Sequence, residues 1–102
     1  MSKICSSTLL LEDEKVRVTR FDFDPCQETG WHVHKYDYVI TAITDCVMVL
    51  QHPDGTQTIS KVAAGNAYSR DAGVSHNVLN ASEHQMSFIE TELKNSGVAR
   101  KT

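Results

Sequence analysis

The chain of 102 residues is poor in the features that mark several large protein classes. No apolar run approaches the roughly 20 residues that a membrane-spanning helix needs. The opening stretch offers only Leu9, Leu10 and Leu11 before Glu12-Asp13-Glu14, too short for a secretory signal, so the expected location is the cytoplasm. Basic residues are not in excess: the formal net charge is −3, which argues against nucleic-acid or anionic-membrane partners, since both need a basic surface. Cys5, Cys26 and Cys46 form an odd set without C-x-x-C spacing. A disulfide framework and a zinc ribbon are both disfavoured, and three reduced thiols are expected. Cys26 lies a few residues before a histidine pair, but packing is the simpler role for a free cysteine. No stretch keeps a helical 3.6 period beyond two turns, and no linker, repeat or low-complexity segment interrupts the chain.

What remains is a series of short strand-like runs between turn signals. Residues 15–23 carry Val16, Val18, Phe21 and Phe23, with an apolar parity that shifts midway, compatible with a bulge or a two-sided strand. Asp24-Pro25 ends the run. A strand from Trp31 is expected to continue through Ile43. Val47 to Gln51 and Thr56 to Val62 flank Pro53-Asp54-Gly55, a strong hairpin turn. Short strands follow at 67–69, 75–79 and 85–93, the last with Met86, Phe88 and Glu90 on one face and Ile89 on the other. Residues 94–102 are polar and read as a frayed tail. About eight strands at close spacing predict an all-β sandwich or barrel. The expectation is one domain over residues 1–102, with its core at about 15–92. A chain this short has a modest core, and exposed strand edges favour pairing into a homodimer.

The chemistry concentrates in Trp31-His32-Val33-His34. Residues two apart in a strand share a face, so His32 and His34 point the same way. His76 sits far along the chain, behind the Asp71-Ala72-Gly73 turn. If its strand faces the same interior, three imidazoles converge, a ligand set suited to Fe(II), Zn, Ni, Cu or Mn. The bland alternative is a solvated pair on a strand surface and a third histidine bonded to backbone. His52, beside the hairpin tip, and His84, in a polar turn, are expected to be solvated. Trp31, on the face opposite His32, is expected to be buried against the second sheet or a partner.

Gly65-Asn66-Ala67-Tyr68-Ser69-Arg70-Asp71-Ala72-Gly73-Val74-Ser75-His76-Asn77-Val78-Leu79-Asn80 resembles the second cupin motif, G-x5-P-x-G-x2-H-x3-N, at every fixed position except the proline, here Asp71. Gly30-Trp31-His32-Val33-His34 and the residues up to Asp45 are similar to the first motif, with its H-x-H in place. That motif's glutamate position holds Tyr38, or Val39 with the longer spacing, and its late glycine position holds Asp45. The resemblance covers roughly residues 15–92. It implies a double-stranded β-helix (a jelly-roll barrel), commonly dimeric, with a divalent transition metal in the barrel mouth. His32, His34 and His76 would be the metal ligands. At finer grain the motifs look like the small stand-alone cupins of β-alanine degradation operons.

The glutamate ligand of the family is missing. Asp37 is one residue off, and strand alternation turns it to the opposite face. Tyr38 shares the histidines' face, where a phenol serves better as a hydrogen bonder or pocket wall than as a ligand. Tyr36 is a weaker pocket candidate. Arg70 is a candidate to bind a substrate carboxylate, against the plainer reading of a solvated charge. The resemblance therefore implies a three-histidine metal site acting on a small metabolite of amino-acid or β-alanine catabolism, as a metal-dependent oxygenase of the dioxygenase type with Fe(II) favoured. The alternative is a non-catalytic cupin that binds a small ligand or serves as an accessory subunit without a functional metal. A metal-free sugar epimerase of the same fold would need a histidine base with a carboxylate partner, and clustered histidines argue for metal instead.

Overall fold

The computed structural model describes residues 3–96. The described residues form strands and no helix: β1 (Ser6–Glu12), β2 (Val16–Phe23), β3 (His32–Val33), β4 (Asp37–Ala42), β5 (Cys46–Gln51), β6 (Gln57–Val62), β7 (Ala67–Arg70), β8 (Ser75–Asn80) and β9 (Met86–Leu93). All strand pairs are antiparallel, in two facing sheets ordered β1-β2-β9-β4-β7 and β3-β8-β5-β6.

Period-2 alternation fills the space between the sheets. Phe23, Tyr38, Ile40, Ala42, Met86 and Phe88 come from the larger sheet, and Cys46, Met48 and Val78 from the smaller; all are buried. Phe88 is the centre of the aromatic packing, with Phe21 and Phe23 at ring-centroid distances of 5.5 and 5.4 Å. The parity shift in β2 is not a bulge in that strand, because its register with β9 is unbroken from Val16 to Phe23. Instead β2 is two-sided, and the irregularity falls in β1 between Leu9 and Leu11.

Three expectations are corrected. The strand beginning at Trp31 does not run through to Ile43. It stops after β3, passes from one sheet to the other across Lys35 and Tyr36, and resumes as β4. Trp31 is 57% exposed in the single chain, so it is not buried against the second sheet. The start of the expected frayed tail is also fastened. Lys94 Nζ lies 2.7 Å from Glu12, and the Ser96 hydroxyl accepts a hydrogen bond from Asp37 N–H at 3.0 Å. Residues 97–102 lie outside the described residues.

A candidate metal centre in the barrel

The segment from Cys26 to His34 runs antiparallel beside β8. Backbone bonds link Cys26 N–H to Asn80 O, Thr29 N–H to Val78 O and His34 N–H to Val74 O. In this register His32 lies directly opposite His76. His34 follows two residues on, and its carbonyl accepts from Gly73 N–H at 2.8 Å. The positive φ of Gly73, 98°, is what lets the β7–β8 turn place that N–H there. Asp37 has a structural task in the same turn: its Oδ1 accepts from Ala72 N–H at 2.8 Å. It does not join the histidine cluster, in keeping with its expected outward face.

The three imidazoles converge. His32 Nε2 and His34 Nε2 are 3.0 Å apart, His34 Nε2 and His76 Nε2 are 3.1 Å apart, and all three ligand atoms lie within 4.8 Å of one another. His32 Nδ1 is 2.8 Å from the Gly30 carbonyl, so that nitrogen carries the proton and Nε2 presents a bare lone pair. Two nitrogens ~2.1 Å from one ion, at a right angle about it, are about 3.0 Å apart. The two short separations let His34 Nε2 share a single cation with each of the other two imidazoles.

Burial keeps His34 and His76 neutral. It pushes the His34 imidazole down to about 3, with His32 and His76 adding to the shift, and the His76 imidazole down to about 4, with His32 and His52 adding. Neutral imidazole is the form that ligates metal. Tyr38 stacks on the His34 ring, at 3.8 Å between centroids and 16° between planes. Its phenol is raised above its usual range by burial, with Tyr68 and Glu90 contributing, so it stays protonated.

A cavity of about 350 Å³ opens onto the cluster. Its wall is apolar at Phe21, Ile40, Met48, Val78 and Phe88 and polar at Arg17, Thr19, Lys35, Glu90 and Glu92. Glu90 is the residue that sequence reasoning left out of the site. Its Oε1 lies 3.9 Å from His34 Nδ1, and its carboxyl is pushed up to about 7 by burial, with Glu92 adding and Arg17 opposing. With His34 neutral, this 3.9 Å contact is not an ion pair. A signal was there: Glu90 continues the core-facing parity of Met86 and Phe88, and a carboxylate on a core face needs a reason. Asn77 supports the site from behind, its Oδ1 accepting Gly30 N–H at 2.9 Å.

The other candidates fall elsewhere. Arg70 is exposed, lies over the Tyr68 ring at 4.5 Å, and lines a second cavity of about 360 Å³ with Tyr38, His52, Tyr68 and His76. It does not line the cavity that all three histidines share. His52 bonds Thr58 Oγ1 at 2.7 Å and stays out of the histidine cluster; His84 is exposed. Tyr36 is partly buried in the sheet-to-sheet connection and lines neither cavity. Cys26 is exposed, with a positive φ of 70°, and is not part of the cluster.

Two antiparallel sheets closed around an inward histidine cluster, with the two glycine-framed motifs on β3 and β7–β8, define a cupin, and the chain belongs to the cupin superfamily. More narrowly, it is a small cupin that resembles β-alanine degradation proteins. It is 45% identical over 87 residues to the β-alanine degradation protein BauB of Pseudomonas aeruginosa, covering 85% of this chain and 90% of that one. It is similar to the crystal structure of a cupin domain from Bordetella pertussis, with a TM-score of 0.85 and 38% identity over 89% of this chain and 94% of that one. A double-stranded β-helix protein from Klebsiella pneumoniae shares the fold at a TM-score of 0.73 and 21% identity, over 92% of this chain and 81% of that one. No protein-family profile matches the chain. No helix among the described residues is long and apolar enough to cross a membrane.

Proposed function

We propose that His32, His34 and His76 bind one divalent transition metal, and that the protein is a cytoplasmic cupin of β-alanine or related amino-acid catabolism. The observation that carries this reading is the pair of Nε2 separations, 3.0 and 3.1 Å, with His32 Nδ1 already engaged by a carbonyl. Fe(II) is the favoured ion; Zn, Ni, Mn and Cu suit the same nitrogens. When bound, such an ion supplies Lewis acidity and open positions for substrate, water or O₂, as a metal-dependent oxygenase requires. Tyr38 would hold the His34 ring and orient a bound group. Arg70, in the second cavity, would meet a carboxylate entering on that side. The assembly would be a homodimer: every residue of edge strand β1 is exposed, with Leu9, Leu10 and Leu11 about half open at 52, 50 and 51%.

Metal analysis of protein purified without chelators tests the reading. The expected result is about one ion per chain in the wild type, loss of that ion in His32→Ala, and retention in His84→Ala. A wild type that stays substoichiometric after reconstitution with Fe(II) or Zn(II) sinks it.

The cavity also favours a second reading, a non-catalytic small-ligand module. A space of about 350 Å³ with a largely aromatic and aliphatic floor holds a small metabolite without any metal. A ligand-induced rise in melting temperature that persists in a variant lacking all three histidines would select this reading over the first.

A further inference from the structure

The site has no carboxylate among its three candidate ligands, because Tyr38 stands where the family's first motif has a glutamate. A divalent cation there would meet only neutral imidazoles. One carboxylate nonetheless approaches the cluster from a strand outside both motifs. Glu90 sits on β9, in register with Ile40 of β4 and Thr19 of β2, and its side chain is only 14% exposed. It faces the same cavity as the histidines, beside Phe21 and Phe88, where an unpaired carboxylate is costly.

His34 is fixed on every side but one. Its backbone N–H and carbonyl are both engaged by the β7–β8 turn, one ring face lies on Tyr38, and Nε2 points at the other two histidines. The remaining polar ring atom, Nδ1, faces Glu90 Oε1 at 3.9 Å. A direct charge-assisted bond is about an ångström shorter. The terminal torsion of a glutamate is soft enough for a small adjustment to close that gap. The His32 ring shows the same principle with a different partner, the Gly30 carbonyl at 2.8 Å on its Nδ1. Ligating histidines depend on such partners to fix ring orientation and raise basicity.

We propose that Glu90 is the positioning residue of the metal centre: its carboxylate receives the Nδ1–H of His34, leaving Nε2 as the ligand, and supplies from β9 the negative charge that the first motif here lacks. This rests on the three-histidine metal reading above. The missing carboxylate is thereby recovered one atom shell further out, through an imidazole rather than on the ion. The coordination positions it would have occupied stay open.

The test uses the full chain, stripped of metal and titrated with Co(II), whose visible absorption reports binding. Glu90→Gln is expected to weaken Co(II) binding by about 10–100-fold, while Glu83→Gln, in an exposed turn, changes it less than about threefold. Glu90→Leu is the second variant, apolar like the surrounding wall, and keeps the test alive where the glutamine variant folds poorly. In Zn(II)-loaded, ¹⁵N-labelled protein, the His34 Nδ1–H proton should resonate far downfield and exchange slowly in the wild type. It should move upfield and exchange faster in both variants, a change that loss of packing alone does not produce. Unchanged Co(II) affinity with an unchanged Nδ1–H resonance overturns the role of Glu90 and leaves the metal reading intact. A wild type that binds neither Co(II) nor Zn(II) overturns the metal reading, and this proposal with it.

Discussion

Tyr38 occupies the position that decides how the histidine pair is used. The first cupin motif has a glutamate there; here the phenol ring lies flat on His34 and is buried to 2% exposure. Its contribution is therefore the ring, and the hydroxyl is dispensable for holding His34. Tyr38→Phe is expected to keep melting temperature and metal content close to wild type. Tyr38→Ala removes the stacked face and opens a cavity beside the cluster, at a cost of about 3–5 kcal/mol by analogy with other buried aromatics, and should lower metal affinity as the His34 ring loosens. Urea denaturation and metal titration of the two variants check this; equal metal affinity in both would mean that Tyr38 does not hold the ring. Strand alternation put Tyr38 on the histidines' side, and in the structure it lines the same cavity, but for a different reason. The inference assumed one continuous strand from Trp31, whereas the chain changes sheets at Lys35 and Tyr36. Tyr38 faces His34 across the barrel rather than from beside it.

At the scale of elements, the strands were legible wherever turn chemistry bounded an alternating run. Pro53-Asp54-Gly55 closes the β5–β6 hairpin, with Gly55 N–H on His52 O at 3.0 Å, and Ala63 to Asn66 turns the chain into β7. What the sequence did not announce was the passage between sheets after His34, because a two-residue strand has no period to read. Glu90 stayed out of the site for a related reason: its parity was visible, but the strand carrying it belongs to neither motif, and only the sheet order β9-β4 sets it near His34. The β7–β8 turn is the element that joins backbone geometry to the site. Gly73 has φ 98° and nothing within 4 Å of an added Cβ, so a side chain there meets no clash and only the backbone conformation penalises it. Gly73→Ala should destabilise the fold by roughly 1–2 kcal/mol. Because Gly73 N–H holds the His34 carbonyl at 2.8 Å, the same change should also weaken metal binding. Thermal melts and metal titration read the two effects separately, and a destabilised variant with wild-type metal affinity would detach the turn from the site.

For the whole molecule, the cluster and Glu90 together set how stability responds to pH, and they pull in opposite directions. In the metal-free protein His34 and His76 are held neutral down to about 3 and 4, while unfolded imidazoles protonate near 6.5. Between these limits the unfolded chain binds up to two more protons at these sites, so stability is full above about 6.5 and falls as pH drops. Glu90 works the other way. Its carboxyl is protonated below about 7 in the folded protein and below 4.5 when unfolded, so its contribution is present in acid and lost as pH rises through 7. Between pH 6.5 and 4.5 the balance is two protons against one, a net loss of up to ~1.4 kcal/mol per pH unit on acidification. Glu90→Gln removes the opposing group and should make the decline about twice as steep, with the two proteins converging in slope above pH 7. Urea midpoints at pH 7, 6 and 5 measure this directly. A wild-type midpoint that rises from pH 7 to 5 would contradict a neutral His34 and His76. Equal slopes in the two proteins would mean that Glu90 is ionised in the folded protein across this range.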